Sequence, residues 1–386
     1  MKFVRNTNES DEDLIYRICE EKSIIGTWNA VANILNEILE SEYDESTYRK
    51  RYAKLKDNKS KDLLPNNVSG LTDMKRELEK EKIKFRDERN EYNRKIREEA
   101  RKESFLEMVQ RIIGTVEPFH DPFILKATYE AKTSDLILHL SDLHGGMNIK
   151  SSLNQFDMNI LQQRLQTYLN KVAEVKNKHQ ADKCYLIIGE IISGLIHDTL
   201  RIENNENVIQ QFVIVSDLIS NFIKELSKIF AEIHIYVTPG NHSRVVAQKD
   251  KSLKGENFDA LLPYFLKAKF EFFPNVKIHS NKLDIEIASF KVRGFKVMSS
   301  HGDKDSVSNV VQNFSMLTGE IPDLVYLGHR HTNGLTTIFN TKVIESGCFS
   351  GIDNFAMSKR LFTYPESTIS VVTDNGFDCL YDVTLK

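Results

Sequence analysis

The sequence predicts an α/β protein whose mixed sheets, two of them facing each other with helices outside, follow an all-α region and a long charged helix. Three observations predict it. Up to about residue 115 the chain is dense in Glu, Lys and Arg, and its apolar residues recur at helical spacing. Beyond Asp135 short apolar, β-branched runs alternate with amphipathic stretches in the order strand, loop, helix. From Val297 onward the strand-like runs come closer together, with fewer helices between them.

In the all-α part, Leu14, Ile15, Ile18 and Cys19 mark a first short helix. Trp28, Val31, Leu35 and Ile38 mark a second behind the N-cap candidate Thr27. A third begins at Asp44, with Tyr48, Tyr52 and Leu55 on one face and Arg49, Lys50, Arg51, Lys54 and Lys56 on the others. Three short helices with a basic last one fit a helix-turn-helix over 1–62, whose final helix enters a DNA groove. A small bundle with a solvated basic face is the alternative. Residues 63–70 read as a linker. From 71 to 113 there is no Pro or Gly, which predicts one long charged helix. Leu71, Leu78, Phe85 and Tyr92 repeat every seven residues, but Glu81, Glu88 and Lys95 fill the other seam position, so the seam is thin. A homo-oligomeric coiled coil, a single spacer helix and a helix packed on the catalytic domain all fit. Residues 114–123, with Pro118 and Pro122, form the joint to a catalytic domain over 124–386.

In that domain the strands expected are Leu136–Leu140, Cys184–Ile188 and Ile233–Val237, then shorter ones around Val297, 324–327, 336–339, 342–344, 369–373 and 379–383. Helices are expected over 161–175 and 208–230.

Composition narrows the function classes. The 386 residues, 40% hydrophobic, bury a sizeable core, which excludes small stapled scaffolds. Lys and Arg number 52 against 55 Asp and Glu, so contact with nucleic acid has to come from a local patch. The cysteines Cys19, Cys184, Cys348 and Cys379 form no CxxC pair, which disfavours a disulfide framework and a thiolate zinc site and fits a reducing cytoplasm. No apolar leader or span approaching ~18 residues is present, so a soluble chain with no membrane partner is expected.

Almost every early strand ends in residues that bind metals. Asp142-Leu143-His144 follows the first, Gly189-Glu190 the second and Gly240-Asn241-His242 the third, while His301 and Gly328-His329-Arg330-His331 follow later ones. One such group is weak evidence. Five in order, each after an apolar run, converge on the rim where α/β proteins place their sites.

With these groups the sequence resembles the calcineurin-like metallophosphoesterase superfamily, whose pattern is DxH, GD, GNH, an isolated His and GHxH, over about residues 135–350. The resemblance implies a four-layer αββα sandwich with two metals. It would place Asp142, His144 and His331 on the first metal and Asn241, His301 and His329 on the second. Glu190 stands where the bridging Asp belongs, and His242 matches the histidine that contacts the phosphate and assists the leaving group. The N-terminal arrangement is similar to phage and prophage members with an added helix-turn-helix, which implies the cytoplasm of a bacterial cell or phage-infected host.

The residue chemistry agrees. Carboxylate, imidazole and amide ligands together point to Mn²⁺ first, with Fe or Zn²⁺ as alternatives. Two ions ~3.5 to 4 Å apart make hydroxide near neutral pH and clamp phosphoryl oxygens, with His242 assisting. Glu190 is one methylene longer than Asp, so it has to fold back or shift the ions, and some loss of activity is expected. His197, in a loop after the second strand, and Arg244 and Arg330, beside expected ligands, are candidate substrate contacts, as are Arg164 and Arg201; surface or structural roles compete for each. Cys348 reads as a small core residue. The expected function is a metal-dependent DNA nuclease. A phosphatase or small phosphodiesterase with a protein-binding N-terminus, and a DNA-binding scaffold weakened at Glu190, are the alternatives.

Overall fold

The structure, a computed structural model, describes residues 3–62, 68–122, 133–196, 204–246 and 248–386. The chain divides into two compact units, residues 1–96 and 97–386.

In the first unit, α1 (Asp11–Glu20), α2 (Lys22–Ile25), α3 (Trp28–Leu39) and α4 (Glu45–Asp62) pack around Leu14, Ile18, Val31, Leu35 and Tyr48. The Ser10 and Thr27 side chains cap α1 and α3 by accepting the Asp13 and Ala30 N–H groups. The single-turn α2, which the sequence reading did not separate, ends at Gly26 with φ +106°. Tyr52 and Leu55 of α4 pack on the core as its amphipathic pattern requires. Its basic residues are partly engaged within the unit: Lys56 lies 3.4 Å from Glu20, Lys59 3.1 Å from Asp13, and Arg49 3.6 Å from Glu45.

The long helix α5 (Val68–Ile113) starts within the stretch read as a linker, while 63–67 lie outside the described residues. Its seam side chains Leu78, Phe85 and Tyr92 are exposed. Near its end Val109 and Ile112 are buried in the core of the second unit. Past the helix, Phe119 donates its N–H to the Lys269 carbonyl at 2.9 Å and sets its ring 5.5 Å from Phe270, so this part of the joint is docked.

The second unit holds two large sheets. In the first, β1 (Ser134–Ser141), β4 (Lys183–Gly189), β5 (Glu232–Val237) and β6 (Val276–Ile278) run parallel, and β12 (Glu366–Thr373) and β13 (Gly376–Thr384) add antiparallel strands beyond β1. The second has the order β10 (Gly334–Ile338), β11 (Thr341–Glu345), β9 (Leu324–Leu327), β8 (Phe295–Ser300), β7 (Ala288–Val292). A two-stranded ribbon, β2 (Ile149–Lys150) and β3 (Gln155–Phe156), lies between β1 and α6 (Met158–His179) in the chain. The connections α6, α7 (Val208–Ser227) and α8 (Leu262–Lys269) serve the first sheet, and α9 (Val310–Thr318) links β8 to β9.

Strand alternation produces four layers. Leu136, Leu138 and Leu186 face Leu161, Phe212 and Phe265 of the helices, while Ile137, Ile187 and Tyr236 face Phe290, Val297 and Tyr326 of the other sheet. On the far side Met298, Val325 and Val343 pack against Val310 and Phe314. The αββα order expected from the resemblance is the observed one. His139, between the sheets with its ring 5.8 Å from Tyr326, has its pKa pushed down by burial to about 4, so it packs as a neutral ring.

Because Ile187 is fully buried between the sheets, Ile187→Ala is expected to lower the unfolding free energy by about 2–5 kcal/mol, read from urea midpoints at constant slope.

Candidate metal centre

The parallel strands end in step. Ser141 pairs with Gly189 and Ile188 with Val237 in the first sheet; Ser300 pairs with Leu327 and Leu327 with Glu345 in the second. The residues just past these ends are Asp142 and His144, Glu190, Asn241 and His242, His301, and His329 and His331. Facing sheets with matched strand ends therefore bring residues up to 189 positions apart in the sequence to one rim.

Three overlapping groups of donor atoms result: Asp142, His144 and His331; Asp142, Glu190 and His301; and His144, Glu190 and His242. His331 Nε2 stands 3.2 Å from Asp142 Oδ1 and 3.1 Å from His144 Nε2. His301 Nε2 lies 2.9 Å from Glu190 Oε2 and 3.1 Å from Asn241 Oδ1. Glu190 Oε1 faces the other way, 4.0 Å from His144 Nε2 and 3.7 Å from His242 Nε2. The His242 Nδ1–H donates to the Ser193 carbonyl at 2.8 Å, which turns Nε2 toward the cluster. His329 is placed by its N–H, 2.9 Å from Asp142 Oδ2, with its ring 5.0 Å from that of His301.

Assembling this centre strains the backbone. Asp142, His144, Glu190, His329 and His331 all have φ between +47° and +70°. They account for five of the eleven left-handed non-glycine residues described, a concentration characteristic of functional sites. Two glycines are required by close approach. A Cβ on Gly240 would fall 2.0 Å from Glu190 Oε2, and one on Gly328 would fall 1.9 Å from Ser141 Oγ.

Asp259, which sequence reasoning missed, holds two of the loops. Its fully buried carboxylate accepts the N–H groups of Glu190 and Gly240, both at 2.9 Å, and of Ile191 at 3.2 Å, plus the Ser243 hydroxyl. Its one sequence signal is an acidic residue inside the apolar run Phe258-Asp259-Ala260-Leu261.

The electrostatics call for cations. Burial pushes the Asp142 and Glu190 carboxyls upward, yet the surrounding histidines overcome it and hold both below the ordinary carboxylate range. Burial, followed by the neighbouring His242 and His331 charges, drives the His144 pKa well down. Asp142 Oδ1 is buried without a hydrogen-bond partner. Donors on one ion at ~2.0–2.2 Å stand roughly 3 to 3.5 Å apart, close to the separations of His331 from Asp142 and His144 and of His301 from Asn241. The donor set fits divalent ions.

The candidate substrate contacts separate. Arg330 is committed to the protein, with Nε 3.3 Å from Glu345 and a terminal N–H donated to the Asp305 carbonyl. Arg244 donates only its Nε–H, to the Asn241 carbonyl at 2.9 Å. Arg164 is buried, bonding the Phe349 and Ser350 carbonyls at 2.6 and 3.0 Å, and is structural. His197 and Arg201 lie outside the described residues. Cys348 is a buried core thiol, its Sγ 3.7 Å from the Gly351 carbonyl.

The family model for calcineurin-like phosphoesterases matches residues 136–346, more than half of the chain. The chain belongs to the calcineurin-like phosphoesterase family. It is accordingly a hydrolase of phosphoric esters, and the family implies divalent metal ions at the clusters described. Residues 1–64 match the YonJ N-terminal domain and 74–117 the YonJ coiled-coil domain. The SPbeta prophage-derived uncharacterized protein YonJ of Bacillus subtilis (strain 168) is 22% identical over 373 residues, 92% of this chain and 91% of that one. Among solved structures, an archaeal phosphodiesterase aligns with 64% of this phosphoesterase and 99% of its own chain at 15% identity and TM-score 0.32. The zinc complex of Vps29 from Entamoeba histolytica aligns with 65% and 99% at 12% identity and TM-score 0.29.

Asp259→Asn keeps the volume but turns an amide NH₂ toward backbone donors. It is expected to weaken metal binding about 10–100-fold by calorimetric titration. Unchanged affinity would show that the two loops hold themselves.

Proposed function

We propose that this phosphoesterase is a two-metal phosphodiester hydrolase acting on DNA, with the N-terminal helical unit as a DNA tether. The observation that supports two ions is the sharing of carboxylates: Asp142 belongs to the His144/His331 group and to the His301 group, and the Glu190 oxygens point one to each side. Asp142, His144 and His331 would hold one ion, and Asn241, His301 and His329 the other, with Glu190 between. Mn²⁺ is the proposed metal, since hard and borderline donors dominate. Two bound ions would activate water and screen the phosphoryl oxygens during in-line attack.

The protein side of the reaction follows from the positions. His242, fixed through Nδ1, presents Nε2 to the cluster and is the group placed to protonate the departing oxygen. Glu190 reaches both sides because its left-handed backbone and the space beside Gly240 accommodate the longer side chain. That supports ordinary bridging over the loss of activity expected from length alone. On α4, Arg49, Lys50, Arg51 and Lys54 are exposed, which supports phosphate contact. The pairing of Lys56 and Lys59 with Glu20 and Asp13 favours the second reading, a protein-binding N-terminus. The exposed Leu78, Phe85 and Tyr92 seam supports self-association through α5.

Extensive chelation should abolish cleavage across a panel of linear, circular, single-stranded and duplex DNA, and Mn²⁺ should restore it; full turnover after chelation would overturn the metal assignment. Glu190→Asp is expected to reduce turnover at least tenfold and lower metal occupancy, because the shorter side chain withdraws from a space fitted to Glu. A faster variant would show that length is the defect. Replacing Arg49, Lys50, Arg51 and Lys54 together with Gln should reduce the slope of log affinity against log salt by up to about 3 for duplex DNA. An unchanged slope would favour the protein-binding reading.

A further inference from the structure

A cavity of about 160 Å³ adjoins the metal centre. Asn241 is the one candidate metal residue on its wall, so the cavity lies beside the centre rather than within it. Its size separates ligand classes. It is several times the ~30 Å³ share of a water molecule in the liquid and about half the ~300 Å³ at which sites for whole organic ligands begin. A phosphate with part of a sugar matches that space, whereas a complete nucleotide exceeds it.

Charge on the wall points the same way. The cations are Arg244, Lys249, Lys254 and Lys304. Each lysine meets a carboxylate: Lys254 pairs with Asp284 and lies 3.8 Å from Glu286, Lys304 is 2.6 Å from Glu286, and Lys249 is 3.9 Å from Asp303. Arg244 is different. Its Nε–H is bound to the Asn241 carbonyl, and among the described residues no carboxylate pairs with its guanidinium. The backbone bridge between Arg244 and Asn257, with Asn257 also bonded to the Gly240 carbonyl, ties it to the same loop as Asn241. An unneutralised guanidinium, fixed at its base with both terminal amino groups uncommitted, is the arrangement that receives two phosphate oxygens.

We propose that this cavity is a subsite for the phosphate next to the scissile one in a polynucleotide, with Arg244 as its receiving group. The inference rests on the reading of the centre as a phosphodiester hydrolase and specifies its substrate as a chain of phosphates. The site selects for a neighbouring backbone phosphate and not for a base, so it confers chain preference without sequence preference.

The test is binding to the full-length, metal-loaded protein of thymidine 3′,5′-bisphosphate compared with thymidine 5′-monophosphate and 3′-monophosphate. The wild type is expected to bind the bisphosphate about tenfold more tightly than the tighter monophosphate, an advantage that declines as salt is raised. In Arg244→Gln the ratio should fall to about two, and Arg244→Lys, which keeps the charge but loses the fork, should lie between. A wild-type ratio near one overturns the proposal without recourse to any variant, as does an unchanged ratio in Arg244→Gln. The DNA panel tests the underlying reading separately. A protein that cuts no DNA yet keeps the ratio retains the two-phosphate site and loses the nuclease reading, while cleavage with a ratio of one overturns the subsite alone.

Discussion

Two carboxylates buried among imidazoles set the terms for the catalytic unit. Asp142 and Glu190 are each about 1% exposed or less, and isolated charges in such a place cost several kcal/mol apiece. Histidine rings offset part of that cost. Divalent ions supply what the rings cannot, because a ring nitrogen that donates to one carboxylate oxygen leaves Asp142 Oδ1 without a hydrogen-bond partner. Left-handed backbone at five ligand positions, a glycine facing Glu190 and another facing Ser141 all serve to bring these groups together.

That demand explains why the sandwich is built as it is. A single sheet presents strand ends along a line, which suits an extended ligand crevice. Facing sheets whose parallel strands end in step present two lines, and donors from both can surround an ion. The inter-sheet core therefore has a positional task as well as a stabilising one: the Tyr236–Phe290 stack at 3.9 Å and the residues around it hold the two rims in register.

The legibility of the site in the sequence follows from the same chemistry. Metal ligation needs particular residue types at strand ends, so Asp142, His144, Glu190, Asn241, His301, His329 and His331 stood out against apolar runs, and the structure gathers them at one rim. The long periodic helices and most strands were legible because one face of each is buried. What stayed hidden lacked either feature. β6 is three residues long, and in β7 the buried set Ala288, Phe290 and Val292 alternates with Ser289 and Lys291 over only five residues. The single turn of α2 is too short to show a period. Asp259 is invisible for a different reason: its partners are backbone N–H groups, which every sequence contains, so nothing in residue identity announces it.

Arginine shows the same limit from the other side. Arg164, Arg244 and Arg330 were alike in sequence as phosphate contacts, since a guanidinium binds carbonyl, carboxylate and phosphate oxygens with one geometry. Their difference lies in how many donors the protein has already taken. Arg164 spends its fork on the Phe349 and Ser350 carbonyls and locks the segment after β11, whose Phe349 N–H bonds the Asp142 carbonyl. Arg330 divides its donors between Glu345 and Asp305. Arg244 commits only its base, so the capacity to bind a phosphate is set by the donors that folding leaves unspent, a quantity that appears only once partners hundreds of residues apart are in place.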